Sequence, residues 1–480
     1  MKFRVIFNIL GLLLLIEGIS MLLPLGVSLY YNEPDIFALF LSSGLTIFAG
    51  ALMWYSTRRG NKSIGKKEGY IIVSLVWIIF SLFGSLPFVI SGYIESYTDA
   101  FFETISGFTT TGASILNDIE RLPHGLLFWR SMTQWLGGMG IIVLSLAILP
   151  IFGIGGMQLF IAEVPGPTPD KFHPRVKETA KRLWGIYLLF TLAEILLLWL
   201  GDVGLFDSVC HAFTTMATGG YSTKQASIAH FSPYVQYVIT IFMFLAGTNF
   251  ALSYYALHFK FNKVFKNEEF RFYVTFLLGF TIIIALFLWI GDKFAIESSF
   301  RHAVFQVVSI TTTTGYVTSD YLQWTPFLTV IIFMLMFIGG SAGSTGGGIK
   351  IIRIGLLIKN SYLELKRLLH PNAIIPVRMN KKSIDQQIIT NVLAFVVIYM
   401  TITGISTIVV SSMGYDLNSS LGAVAASLGN IGPGIGAVGP VENYAHLPGF
   451  GKWFLSFLML LGRLELFTIL VLFSPAFWRK

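Results

Sequence analysis

Residues 311–316 read Thr311-Thr312-Thr313-Thr314-Gly315-Tyr316, a run of hydroxyls closed by a glycine and set between two long apolar segments. A soluble-protein loop would make little sense there. Backbone carbonyls in such a run can face a narrow polar path, and Gly315 is free to take dihedrals that other residues resist. The stretch reads as one wall of an ion selectivity filter. Three others are partial copies: Thr109-Thr110-Thr111-Gly112-Ala113-Ser114, Ala217-Thr218-Gly219-Gly220-Tyr221-Ser222 and Gly429-Asn430-Ile431-Gly432-Pro433-Gly434. Aligned on Gly112, Gly219, Gly315 and Gly432, four similar units in one chain can surround a single axis.

Composition puts this ring in a membrane. Of the 480 residues, 54% are apolar and only 12% charged, whereas soluble domains carry charge at about a quarter of positions. The fold class is therefore an all-α polytopic membrane protein. The single cysteine, Cys210, excludes an internal disulfide and says nothing about redox compartment. A formal charge of +8 could suggest nucleic acid, but in a membrane protein what matters is where the positive residues sit relative to the spans. Membrane lipid is the expected surrounding, and no nucleic-acid partner is expected.

Along the chain, residues 1–57 read as a transmembrane hairpin. Met1 to Gly26 begins as a signal peptide would, but its apolar run is too long, contains Glu17 and lacks a small-residue cleavage site. It is read as a span, and Ile36 to Tyr55 returns the chain. Four units then follow, at 66–153, 181–260, 268–360 and 383–480. Each is a span, a half-length helix, a Thr/Gly loop and a second span. The first spans are Tyr70 to Ile90, Leu183 to Leu200, Phe272 to Ile290 and Ile388 to Val410. The second spans are Leu126 to Phe152, Tyr234 to His258, Pro326 to Ile358 and Trp453 to Phe473. Ten crossings are expected in all.

Asp99, Asp207, Ser298 or Ser299, and Asn418 or Ser419 are the N-cap residue types ahead of the half-length helices. About ten helical residues rise ~15 Å, half of a ~30 Å hydrocarbon core. Such helices stop at mid-depth and aim their C-terminal partial negative charge at the loop, which favours a cation. Charge tests the topology independently. Segments 1–5, 57–68, 154–182, 259–271, 350–382 and the last two residues fall on one side and hold 26 of the 33 Lys and Arg. That side is cytoplasmic by the positive-inside rule, with both termini on it. The loops then open outward into a vestibule made acidic by residues such as Glu95, Asp99, Glu103 and Asp118. Glu17 and Glu194, inside spans, read as structural pairs or polar contacts.

The second span of the third unit is anomalous. As one helix, Pro326 to Ile358 would run ~50 Å, more than a membrane is thick. It contains Gly339-Gly340-Ser341-Ala342-Gly343-Ser344-Thr345-Gly346-Gly347-Gly348, which no stable helix would choose. The helix should break there and the loop should lie against protein or a water-filled path below the filter. Gly339-Gly340-Ser341-Ala342-Gly343 also fits the G-x-S-x-G hydrolase elbow, but the strand-to-helix turn and the His and acidic partners are not evident. Ile349 between Gly348 and Lys350 spoils a phosphate-binding loop. A membrane-embedded serine enzyme is thus the minor alternative, and no catalytic residue or cofactor is assigned. Arg463 places a charge midway along the last span, costing roughly 2.5–3.5 kcal/mol if buried. It should face a polar cavity, or else pair with a carboxylate such as Glu465.

Four span–pore helix–loop–span units, a glycine-rich break in the third and an arginine in the fourth together resemble the Trk/Ktr/HKT superfamily of potassium transporters. The resemblance covers essentially the whole chain, and the two extra N-terminal spans make it most similar to the bacterial branch. It implies potassium as the transported ion, held by Thr110, Thr111, Gly112, Thr218, Gly219, Thr313, Thr314, Gly315, Asn430, Ile431 and Gly432. It implies a gate formed by Gly343, Ser344, Thr345, Gly346, Gly347 and Arg463. It also implies a homodimer with one pore per protomer, in a bacterial inner membrane, regulated by cytoplasmic nucleotide-binding TrkA-type subunits. These would dock on basic segments such as Lys359 to Lys382. A sodium-permeable pore of the same fold is the nearer alternative. Gly112 argues against it, because sodium-preferring relatives tend to carry serine there.

Overall fold

The computed structural model describes residues 2–58, 65–140, 176–291, 294–373 and 375–479. Almost everything in it is helix, and its surface is inverted relative to a soluble protein. Among the described residues, large apolar side chains such as Phe37, Phe48, Ile282 and Phe287 face outward, while Thr109–Thr111 and Thr311–Thr314 are buried. Lipid solvates the first group. The second lies inside, where polar groups must find partners within the protein.

The N-terminal hairpin runs Phe3–Ser20 and Leu22–Tyr31, turns at Asn32 (φ 54°), and returns as Ile36–Thr57. Small residues let its backbones touch, since a Cβ on Gly11 would lie 2.7 Å from the Trp54 nitrogen and one on Gly50 2.8 Å from the Leu15 nitrogen. The hairpin also grips the first unit. Glu33 accepts from the Gly125 N–H at 3.4 Å and contacts His124 Nδ1 at 2.7 Å, so it covers the exposed donors that begin helix His124–Trp135. Glu17 and Glu194, read as pairs or polar contacts, are buried without a hydrogen-bond partner on either carboxylate oxygen. Among the described residues, no cation pairs with either.

The four units follow in the expected order. First spans are Lys66–Gly84 extended by Leu86–Ile90, Val176–Trp199, Glu268–Ile290 and Gln386–Ser411. Short helices are Tyr97–Phe108, Leu205–Met216, Ile296–Thr311 and Leu417–Gly429, of 12, 12, 16 and 13 residues. Each begins two or more residues before the position that cap preference suggests. The N-cap residues are Ser96, Gly204, Ala295 and Asp416. Asp99 and Asp207 fall in the first turn instead, where a carboxylate complements the positive end of the helix without accepting the cap bond.

The second spans hold the surprise. The third breaks as expected: Pro326–Leu335 ends, a loop follows, and Ile351–Leu369 starts anew. The loop is pinched at its base by a two-residue parallel pairing, Ile338 with Ile349 and Gly339 with Lys350. The second and fourth spans, expected to be continuous, also break. Pro233–Ala246 meets Phe250–Leu257 at 108°, and Gly449–Arg463 meets Phe467–Phe473 at 118°. In the first, His124–Trp135 loosens into a π turn over Leu136–Gly140, and the expected continuation to Phe152 lies outside the described residues. Among the described residues, six helices are long and apolar enough to cross a membrane, or up to eight counting each bent pair as one span.

Candidate functional site

Each short helix ends in the same turn, built four times. Two residues per loop take positive φ: Thr110 and Gly112, Thr218 and Gly220, Thr313 and Gly315, Asn430 and Gly432. Between them, the N–H groups of Thr111, Gly219, Thr314 and Ile431 donate back to Ser106, Thr214, Ser309 and Ala426 at 2.8–2.9 Å. In a trans peptide the C=O points opposite to the N–H of the same plane. The carbonyls of Thr110, Thr218, Thr313 and Asn430 are therefore turned away from their own helices. This register corrects one assignment. Sequence alignment makes Gly219 the central glycine of the second loop, whereas the backbone places Gly220 opposite Gly112, Gly315 and Gly432, and Gly219 opposite Thr111. With two adjacent glycines only the helix end decides.

The loops close on one another in chain order. A Cβ on Gly112 would strike the Gly219 carbonyl oxygen, one on Gly220 the Thr314 oxygen, and one on Gly315 the Ile431 oxygen. A Cβ on Gly432 would lie 2.8 Å from the Thr111 oxygen, which completes the circuit. Each glycine is thus the notch that admits a neighbour's carbonyl, and the four carbonyls of Thr111, Gly219, Thr314 and Ile431 share one ring. No side chain of any kind fits in those notches without moving backbone.

Residues that sequence reasoning passed over hold the ring from outside. The Tyr221 hydroxyl donates to the Glu103 carbonyl at 2.7 Å and Tyr316 to the His211 carbonyl at 3.2 Å, so loops two and three are each tied to the preceding unit's short helix. Tyr444 donates to the Gly432 carbonyl at 2.8 Å. Gln134 donates to the Gly219 carbonyl at 2.8 Å and accepts from the Tyr221 N–H. Glu103, expected in the outer vestibule, is instead 1% exposed and bonded to Arg130 at 2.7 Å. Arg130 also donates to the Ser222 carbonyl at 3.0 Å and lies 3.5 Å over the Tyr221 ring. A charge that far from water needs such a partner, which overrides the acidic-surface reading. The Tyr after the glycine in loops two and three was the available signal.

Beneath the ring sits the glycine-rich loop. A Cβ on Gly346 would lie 2.8 Å from the Thr312 oxygen and one on Gly347 2.6 Å from the Gly429 oxygen, so the loop abuts the ends of the third and fourth short helices directly. The Gly347 N–H donates to the Thr313 hydroxyl at 2.7 Å. The Thr345 hydroxyl donates to the Met216 carbonyl at 3.1 Å. Gly343 (φ 75°) accepts from the Phe250 N–H at 3.1 Å, and the Ser344 hydroxyl donates to the Ser341 carbonyl at 2.7 Å. Ser341 Oγ, the nucleophile of the enzyme alternative, is buried and has no hydrogen-bond partner among the described residues, so none of them activates it.

Arg463 reaches up into this junction. Its guanidinium donates to the Thr110 hydroxyl at 3.0 Å, the Thr345 carbonyl at 2.8 Å, and the Gly137 and Gly138 carbonyls at 2.6 and 2.7 Å. Glu465, the suggested partner, pairs with Arg353 instead, because the chain bends between the two side chains. Lys350, not singled out from sequence, donates to the Gly346 carbonyl. Two successive loop carbonyls are thus each met by a cation. The hydroxyls of Thr110 and Thr313 are engaged by Arg463 and Gly347, while the Asn430 side chain donates to the Thr111 hydroxyl at 2.9 Å and leaves its own oxygen unpartnered.

Comparison with known proteins agrees with this architecture. The family model described as TrkH, cation transport protein, matches residues 35–480. The chain is 42% identical to the Trk system potassium uptake protein TrkH of Salmonella typhimurium, with 100% of both chains covered. It is 35% identical to the Trk system potassium uptake protein TrkG of Escherichia coli over 99% of each. The crystal structure of the potassium transporter TrkH from Vibrio parahaemolyticus superposes with a TM-score of 0.89 at 38% identity, again over 100% of both. These relatives are named as transporters and not as enzymes. The chain belongs to the TrkH family of cation transport proteins.

Proposed function

We propose that this protein takes up potassium across a bacterial inner membrane, through the ring of four loops and under the control of the loop below it. The observation that carries the reading is the closed circuit in which each loop's glycine receives the next loop's carbonyl oxygen. Converging carbonyls replace part of an ion's hydration shell, and a cation is favoured because the C-terminal ends of all four short helices terminate at the ring. Potassium is the ion that the relatives' names give, and position 112 holds glycine where sodium-preferring relatives tend to carry serine.

In the proposed gate, residues Gly343 to Gly347 and Arg463 close the path. Their N–H donors occupy hydroxyls at the base of the filter, and the Arg463 charge opposes a cation at that depth. Control comes from TrkA-type nucleotide-binding subunits on the cytoplasmic side, where both termini lie, acting on a homodimer with one pore per protomer. Flux into liposomes, with potassium, sodium and a pH gradient varied separately, tests the reading. Uptake that follows the potassium gradient and ignores sodium supports it, and equal uptake of both ions sinks it.

A further inference from the structure

Arg353 begins the helix Ile351–Leu369, immediately beyond the glycine-rich loop, and Glu465 lies in the bend of the fourth second span. The two side chains form an ion pair in which they are only 8% and 12% exposed. The Arg353 guanidinium also lies 4.0 Å over the Phe395 ring, on the first span of the fourth unit. Away from water such a pair is held by its geometry, and separating it is costly.

The position of each residue matters as much as the bond. Glu465 follows Arg463 by two residues, and Glu465 and Leu466 hold positive φ of 52° and 54°, a conformation that side chains rarely adopt and that surrounding contacts must maintain. One bend therefore carries Arg463 upward to the loop and filter, and Glu465 sideways to Arg353. On the other side, the loop base is clamped by the Gly339–Lys350 pairing, so a shift of helix Ile351–Leu369 moves the loop with it. Farther along the same helix, Lys359 pairs with Glu268, but there the side chains are 43% and 31% exposed. An exposed pair contributes little. The helix is thus held firmly at its buried end and loosely at its cytoplasmic end.

We propose that Arg353 and Glu465 are positioning residues for the gate: their ion pair ties the gate-loop helix to the Arg463 bend, so that displacement of the helix withdraws the loop and Arg463 together. This rests on the gate reading above. The test is rubidium uptake into liposomes by Arg353→Gln, Glu465→Gln and the charge swap Arg353→Glu with Glu465→Arg. Each is normalised to folded protein by its melting curve, with a partial deletion of Gly343 to Gly348 in parallel. The expected result is a rise of about fivefold or more in each single variant, unchanged potassium-over-sodium discrimination, and return to the parental rate in the swap. A merely structural pair would lower the amount of folded protein and leave flux per folded molecule unchanged, and that outcome overturns the proposal. If the deletion raises flux and the single variants do not, the positioning role fails alone. If the deletion also leaves flux unchanged, the gate reading fails with it.

Discussion

Above Thr110, Thr218, Thr313 and Asn430 the four units repeat one backbone conformation; below them no two second spans are alike. The first is a π turn, the second a bend of 108°, the third an inserted loop and the fourth a bend of 118°. On the proposed function, the difference follows from what each level must do. Four carbonyls can share one ion only if they stand at matching heights and angles, so each loop needs the same pair of positive-φ positions. Closing a path requires no symmetry, only that something fills it. The three breaks and the π turn leave room for the loop and for Arg463, and bare backbone at that depth is tolerated because protein donors meet it.

The largest effect that would break this comparison concerns the bracing of the upper level. Arg130→Met should strand the Glu103 carboxylate and cost about 3–5 kcal/mol, read as a lowered melting temperature in detergent. A variant that melts like the parent would show that the ring does not depend on this pair. At the lower level, Arg463→Ala should raise potassium flux on the order of 10-fold by removing a positive charge from the path, with expression near normal. Loss of folded protein in the variant would show that the arginine serves the fold, through its bonds to the Thr345, Gly137 and Gly138 carbonyls. Between the two adjacent glycines, Gly220→Ala should weaken potassium-over-sodium discrimination about tenfold, since it combines a positive-φ penalty with a collision on the Thr314 oxygen. Gly219→Ala, at a position without positive φ, first meets the Gln134 side chain instead of backbone and should do less. Equal effects in competitive uptake would return the centre of the second loop to Gly219.

The smallest effect lies at the outer surface. Asp416 caps the fourth short helix, and hydrogen bonds from the Ser419 hydroxyl and N–H hold its carboxyl below the usual value. A depressed carboxyl stabilises the fold above its unfolded pKa, and that contribution is lost as pH falls through the folded one. Asp416→Ala should therefore cost roughly 1 kcal/mol at neutral pH and progressively less in acid. A cost that does not change with pH would contradict the cap.

Much of the upper level was legible in the sequence because its chemistry is local. Thr-rich runs ending in glycine and apolar spans are compositional, and so is the third break, with glycines from Gly339 to Gly348. The breaks after Ala246 and Arg463 were not legible. Each lies in an apolar run beside a single glycine, Gly247 or Gly462, and is fixed by tertiary contacts. Asn249 accepts from the Ala251 N–H at 2.8 Å to start the new helix, while the Gly343 carbonyl takes the Phe250 N–H. The helix starts were misplaced because Asp and Ser are good first-turn residues as well as caps. Glu103 read as a surface acid because its partner, Arg130, is 27 residues away in sequence.

The central claim is that four carbonyls, each admitted by a neighbour's glycine, form a filter that prefers potassium. Competitive rubidium uptake into liposomes tests it most directly, with potassium or sodium as competitor, for the parent protein, Gly112→Ser and Gly315→Ser. The account predicts that only potassium competes in the parent and that sodium competes as well once either notch is filled. Discrimination that is unchanged in both folded variants would contradict it.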